Sequence, residues 1–135
     1  MRWARTAFLT MGLWALAPTA AVACKFAPRP MSELVASAEA AFVGRVVSVE
    51  ESGSEVSVRF RVSRRWRGAD ESETSIRIPT HSCGIRVEKG QDWLILAAGK
   101  PLATWAGAGN HLLSDASGKK LGEIPAELLR LLAKK

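Results

Sequence analysis

The most regular pattern in the chain is an alternation of apolar and polar residues between residues 55 and 65. A repeat of two residues places successive side chains on opposite faces of an extended chain, so this segment predicts an antiparallel strand with one buried face. The residues predicted to face the interior are Val56, Val58, Phe60 and Val62, and those predicted to face outward are Ser57, Arg59, Arg61 and Ser63.

Four further apolar runs predict the rest of a mainly β fold. Residues 41–50 are β-branched and apolar on both faces, which is typical of a strand covered on both sides, and Gly44 within them indicates a bend or bulge. Turn-forming residues separate the runs, as they do in hairpins. Five short strands with such a bend predict a small closed or half-closed barrel. The other three predicted strands are Ser75–Ile78, Asp92–Ala97 and Leu102–Trp105.

Two helices are predicted to flank the strands. A short one, rich in Ala, Glu and Leu, is predicted from a cap at Ser32 to about Ala41. A second, at about residues 123–134, has Pro125 at its first helical position. Its apolar residues share one face, so we interpret it as docked on the barrel; a helix lying on a membrane surface is the alternative. That face consists of Ile124, Leu128, Leu131 and Leu132.

The first 23 residues are typical of a secretory signal peptide. Two arginines begin this segment, an apolar run follows at residues 7–17, and small residues precede the expected cleavage position. The run is shorter than the about 20 apolar residues that a membrane-spanning helix needs. We therefore expect cleavage after Ala23 and a secreted or periplasmic domain of residues 24–135 that does not span a membrane.

Charge and composition narrow the function classes. The chain carries a net charge of +6, of which the two signal-peptide arginines account for a part, and it has two histidines and two cysteines. His111, Ser114 and Asp115 lie close in sequence but lack a nucleophile-elbow pattern, so we interpret them as a polar loop. His81 and Cys83 have no second ligand pair at zinc spacing. We therefore expect a protein that is not an enzyme and has no cofactor of its own.

Five arginines between residues 59 and 67 form a basic stretch with Trp66 inside it: Arg59, Arg61, Arg64, Arg65 and Arg67. Small barrels with basic faces bind oligonucleotides, but the protein is expected to be exported, so we expect no nucleic acid as a partner. An anionic envelope component, such as phospholipid headgroups or a polysaccharide, is the more natural partner. The alternative is a solvated strand face with Trp66 packed in the core. This basic face consists of Arg59, Arg61 and Arg65.

Cleavage after Ala23 makes Cys24 the first residue of the mature chain, and this allows two interpretations. Cys24 is either an acylated lipoprotein cysteine or one half of a disulfide with Cys83. The disulfide is favoured, because lipoproteins normally have leucine where Ala21 stands and an exported chain with two cysteines most simply pairs them. The free α-amine and carbonyl oxygen of Cys24 would then form a five-membered chelate, suited to displace the water of a peptidase zinc.

Three short motifs follow one another along the chain at defined spacings. The mature chain begins with Cys24-Lys-Phe-Ala-Pro28, a strand ends in Trp66-Arg-Gly68, and Cys83-Gly84 leads to the Leu-rich segment Trp93–Lys100. Over about residues 24–105 the chain resembles the amino-terminal domain of the tissue inhibitors of metalloproteinases, within the netrin-like group. It resembles a bacterial-type single-domain member, because the carboxyl-terminal domain of the larger members is missing.

The resemblance implies an oligonucleotide-binding-type barrel of five strands, with a short amino-terminal helix and a carboxyl-terminal helix. It implies a Cys24–Cys83 bridge, binding of a target protease zinc by the Cys24 amine and carbonyl, and Lys25 at the specificity pocket, where the family often has a small side chain. The family's third-position cysteine is replaced by Phe26, and its partner near residues 105–109 is also missing. The implied protease-binding residues are Cys24, Lys25, Phe26, Ala27, Pro28, Ser82 and Gly84.

Two functions follow as expectations. The first is an exported, non-enzymatic inhibitor of a zinc metalloprotease, with Cys24 as the zinc-binding residue. The second is an envelope or adhesion binding module on the same barrel, which would use the basic face and would be compatible with a lipid on Cys24. Acylation of the Cys24 amine would abolish chelation, so the chemical state of that residue separates the two.

Overall fold

A computed structural model describes residues 24–69 and 72–134, and the predicted signal peptide lies outside these ranges. The prediction of a mainly β fold with two short helices is confirmed: one sheet holds five antiparallel strands. The helices are α1, Met31–Ser37, and α2, Ala126–Ala133. The strands are β1, Ala40–Ser52; β2, Glu55–Arg67; β3, Glu73–Pro79; β4, Asp92–Ala97; and β5, His111–Ser114.

The sheet is ordered β3-β2-β1-β4-β5, with β1 at its centre. The β1–β2 ladder shifts register at several points, and one shift lies between Val43 and Gly44, as the predicted bend requires. A methyl group on Gly44 would lie 3.0 Å from Cβ of Phe60, so this position also lets the two strands approach closely. The sheet itself stays open, with β3 at one edge and β5 at the other.

The predicted fifth strand, Leu102–Trp105, is wrong as a strand. Ala103 forms isolated bridges, parallel to Arg77 of β3 and antiparallel to Ala98 just after β4. Hydrogen bonds of 2.9–3.0 Å accompany both bridges. The segment therefore links the edge strand β3 to the end of β4, and it half-closes the barrel without a continuous ladder. The true fifth strand is His111–Ser114, where we predicted a polar loop.

The first helix also differs from its prediction. It begins at Met31, with Pro30 as the N-cap residue and no side-chain capping bond, and it ends at Ser37. The Pro30 carbonyl accepts the amides of Glu33 and Leu34, so the predicted Ser32 cap is not used. Ala40 and Ala41 belong to β1 because both are fully buried in the sheet, which ends the helix sooner than its composition suggested.

Two apolar layers lie on the two sides of the sheet. The inner one contains Phe42, Phe60, Ile76 and Ile95, and the rings of Phe42 and Phe60 meet edge to face with centroids 5.5 Å apart. The outer one packs the alternate residues of β1 and β4 against both helices. β1 and β4 are therefore buried on both faces, as predicted for β1, and β2 only on one. The outer layer consists of Val35, Ala38, Ala41, Leu94, Leu96, Leu128 and Leu132.

The carboxyl-terminal helix is docked on the sheet, as predicted. Leu128 and Leu132 are buried, and Ile124 and Leu131 pack beside them. Over residues 24–69 and 72–134, the structure contains no helix with the length and apolar character to cross a membrane.

Candidate functional site

The two cysteines form a disulfide, as predicted. The Cα atoms of Cys24 and Cys83 are 4.9 Å apart, and 59 residues separate them in sequence. The bond ties the first described residue to the loop that follows β3. Closing a loop of this length stabilises the folded chain by roughly 4 kcal/mol in the chain-entropy treatment.

The loop that carries Cys83 is itself tightly held. Both the amide and the hydroxyl of Thr80 donate to the Ser54 carbonyl, each at 3.0 Å, which fastens the loop to the β1–β2 turn. The Cys83 amide donates to Nδ1 of His81 at 3.1 Å, and the Gly84 amide donates to the His81 carbonyl at 2.9 Å. Cys24 is therefore bonded to a loop with a fixed shape.

The nitrogen of Cys24 lies beside a hydroxyl group of the same loop. It donates to Oγ of Ser82 at 2.9 Å. This nitrogen becomes the α-amine if the chain is cleaved after Ala23. Two attachments, the disulfide and this hydrogen bond, therefore set the direction in which the nitrogen and carbonyl of Cys24 point.

The residues that follow Cys24 form an exposed edge. Lys25, Ala27 and Pro28 are exposed, and Phe26 is 47% exposed. The Phe26 ring meets the Trp105 ring edge to face, with centroids 5.0 Å apart. An aromatic contact, worth about 0.5–1.5 kcal/mol beyond its buried area, therefore fastens the segment at this point.

The segment around Trp105 is joined to the same loop. The Ala106 amide donates to the Cys83 carbonyl at 2.7 Å. Three stretches of chain therefore meet at one end of the sheet: the amino-terminal segment, the loop of residues 80–84 and the loop of residues 103–108. The sequence could not have identified Trp105 and Ala106 as part of this site, because their contacts join residues about 80 and 20 positions away.

The three arginines of the predicted basic face have different partners in the structure. Arg59 forms an ion pair with Glu73 at 3.6 Å, and the Arg65 guanidinium donates to the Ala69 carbonyl at 3.1 Å. Arg61 lies directly opposite Arg45 in the β1–β2 ladder. Arg45 was not predicted from the sequence to be part of this face.

Arg45 in turn has an acidic partner on the other neighbouring strand. Its guanidinium donates two hydrogen bonds to the Asp92 carboxylate, at 2.9 and 3.0 Å. These bonds and the charge of Asp92 raise the pKa of Arg45 above its ordinary value. Among the described residues, neither Arg61 nor Arg65 forms an ion pair, so these two residues carry the unbalanced positive charge of this face.

The remaining candidate residues are structural. His111 and Ser114 lie in β5, where Nδ1 of His111 contacts the Gly109 carbonyl at 2.9 Å. Asp115 accepts bonds from the Ser117 hydroxyl and the Lys119 amide. Within the described part of the chain, no group of three or more His, Cys, Asp and Glu residues could hold a metal ion.

No protein-family model and no curated protein matches this sequence.

Proposed function

We propose that the protein is an exported inhibitor of zinc metalloproteases that acts through the amino-terminal residue of its mature chain, Cys24. The observation that carries the proposal is the pair of attachments that hold Cys24: its disulfide with Cys83 and the 2.9 Å contact of its nitrogen with Ser82. The same disulfide occupies the sulfur atom that a thioether-linked lipid would need, which favours an unmodified residue.

The chemistry needs an amino terminus at Cys24. An α-amine has a pKa near 8, so a neutral amine with a free lone pair is accessible close to neutral pH. The lone pair and the Cys24 carbonyl oxygen together complete a five-membered ring with a metal ion. A catalytic zinc keeps one coordination position for water, and the chelating residue would displace that water. The inhibitor itself needs no metal or cofactor.

Rigidity makes such a chelator effective. A flexible amino terminus would lose conformational freedom on binding, whereas the disulfide and the Ser82 contact have already removed most of it in the folded chain. In this arrangement an N–H of the amine remains directed at the Ser82 hydroxyl while the lone pair binds zinc.

The neighbouring residues supply the rest of the contact surface. The exposed edge of Lys25, Phe26, Ala27 and Pro28 would lie along the protease cleft, with Ser82 and Gly84 flanking it from the adjacent loop. Lys25 would enter the specificity pocket, where its ammonium group needs a carboxylate or water at the end of the pocket. The resemblance to the tissue inhibitors of metalloproteinases supports this assignment of roles.

One extra residue tests the proposal. We would compare a chain that begins at Cys24 with a chain that carries one alanine before it, against a panel of zinc metalloproteases. The added residue turns the amine into an amide, which has no basic lone pair. We expect inhibition to weaken by at least about 100-fold, equivalent to about 2.7 kcal/mol.

Both chains must retain the disulfide, which is checked by the absence of free thiols. Equal inhibition by the two chains would rule out zinc binding by the amine. Inhibition by neither chain, across the panel, would remove the inhibitory function itself.

A second candidate function is the binding of an anionic envelope component. The observation that favours it is that Arg61 and Arg65 form no ion pair among the described residues, so their charges are available to an anion. We expect Arg61→Gln to weaken binding to vesicles containing an anionic phospholipid by at least about fivefold, since one of these two unpaired charges is lost. Arg86→Gln, the same charge change at an exposed residue outside this face, is the control. Equal binding by both variants would exclude this face.

A further inference from the structure

A cavity of about 410 Å³ opens beside the candidate site. It lies between α1, the ends of β3 and β4, and the loop of residues 103–108. Its volume is at the small end of the range of about 300–1,000 Å³ that is typical of small-molecule sites. The apolar side chains that line it are Leu34, Leu96, Ala97, Ala103, Trp105 and Ala108.

The interior of the cavity offers apolar surface because its polar groups are already paired. The Thr104 hydroxyl donates to the Leu96 carbonyl at 2.7 Å and accepts a bond from the Asn110 side chain at 2.8 Å. Among the described residues, no buried side-chain nitrogen or oxygen lacks a hydrogen-bond partner. A ligand in the interior would therefore gain by burying apolar surface rather than by hydrogen bonding.

The aromatic wall of the cavity is fixed in place. One side of Trp105 receives the edge of the Phe26 ring. Gly107 lies so close to the same indole that a methyl group on this glycine would overlap it. The wall therefore keeps its position without a ligand, and the cavity is preformed.

Two arginines lie at the mouth of the cavity, and each has one carboxylate partner. Arg29 and Arg77 line it together with one carboxylate, Glu55. The Arg77–Glu55 pair is 3.5 Å long and half exposed, and Arg29 contacts Ser37 at 3.0 Å and Glu33 at 3.3 Å. Exposed pairs of this kind stabilise a protein little, and each guanidinium has five N–H donors to offer, so both arginines can accept an additional anionic partner.

We propose that this cavity binds a small amphipathic carboxylate, such as a medium-chain fatty acid. The hydrocarbon chain would lie on the apolar floor against Trp105, and the carboxylate would remain at the mouth beside Arg29 and Arg77. A carboxylate matches the planar guanidinium group, which favours it over a neutral or cationic headgroup. The site does not use the Cys24 amine, so it stands or falls independently of the inhibitory function.

Calorimetric titration of the chain that begins at Cys24 with decanoate, below its micelle concentration, tests the proposal. We expect saturable binding at one site. Ala108→Phe fills the cavity and is expected to weaken binding by at least about tenfold, or about 1.4 kcal/mol. Ala106→Phe is the matched control, because Ala106 is exposed on the same loop and does not line the cavity. The thermal unfolding of both variants checks that they fold.

A second variant, Arg77→Gln, tests the role of the arginines at the mouth. The Arg77 side chain is half exposed, so this variant is expected to fold even if Ala108→Phe does not. We expect this variant to bind decanoate several-fold more weakly and to bind decanol like the unmodified protein. The proposal would be overturned by an absence of saturable decanoate binding. It would also be overturned if Ala108→Phe and Ala106→Phe bound decanoate equally, or if the protein bound decanoate and decyltrimethylammonium with equal affinity.

Discussion

Gly84 determines how closely the loop that carries Cys83 approaches the end of β3. A methyl group at this position would overlap the Pro79 carbonyl oxygen. We expect Gly84→Ala to destabilise the protein by about 2 kcal/mol, because an atom forced into a packed region displaces backbone that is hydrogen-bonded on both sides. Urea unfolding measures the change.

Gly122→Ala is the control for this prediction. A methyl group there would have its nearest neighbour, the Leu112 carbonyl, at 3.4 Å, so the change should cost no more than about 0.5 kcal/mol. If the two variants unfold at the same urea concentration, the loop is not constrained at Gly84.

Asp115 gives the stability of the fold a dependence on pH. Bonds from the Ser117 hydroxyl and the Lys119 amide hold the pKa of this carboxyl below its usual value. The carboxylate therefore contributes stability that is fully present above the ordinary aspartate pKa and is lost as the pH falls through the lower pKa of the folded state. We expect Asp115→Asn to reduce the loss of unfolding free energy with acid.

The measurement is urea unfolding at a series of acidic pH values. Glu51→Gln is the control. Glu51 is exposed, and its carboxylate forms no ion pair with another described residue. A variant at Asp115 whose stability falls with acid as steeply as that of the unmodified protein would contradict this account.

At the scale of elements, α2 is held by one buried face. Leu128 is fully buried between the sheet and α1. We expect Leu128→Ala to destabilise the protein by about 3 kcal/mol, because it removes buried methyl groups and leaves a cavity. Leu121→Ala, at a residue that is 51% exposed, should change stability by no more than about 0.5 kcal/mol. Equal effects would mean that the helix is not docked in solution.

The elements that the sequence predicted correctly are those whose signal is local. β2 alternates in its own residues, and β4 is a continuous apolar run that the two layers explain. His111–Ser114 gave no such signal: all four residues are half-buried, so neither alternation nor a fully apolar run marks the strand. Its existence depends on pairing with β4, which a local pattern does not contain.

The opposite error has the same cause. Leu102–Trp105 has the composition of a strand, but only Ala103 forms bridges, one to Arg77 and one to Ala98. The first helix has Pro30 and not Ser32 as its N-cap residue. It ends at Ser37 because Ala40 already belongs to the sheet. Both outcomes depend on tertiary packing, which overrides local propensity.

At the scale of the whole molecule, the disulfide was predictable because the chain has two cysteines and one way to pair them. The contacts that complete the site were not. Ser82 with the Cys24 nitrogen and Phe26 with Trp105 each join residues that are distant in sequence. The sequence therefore predicted the disulfide partner of Cys24, and the fold supplies the surroundings that fix the direction of this residue.

The proposed inhibitory function depends on a free α-amine at a disulfide-bonded Cys24, and the intact mass of the protein from its native host tests this most directly. The account predicts the mass of residues 24–135 less two hydrogens, with both hydrogens regained on reduction. A mass raised by a lipid or acyl group on Cys24, or a chain that begins at another residue, would contradict it, because neither leaves a free α-amine on Cys24 to bind zinc.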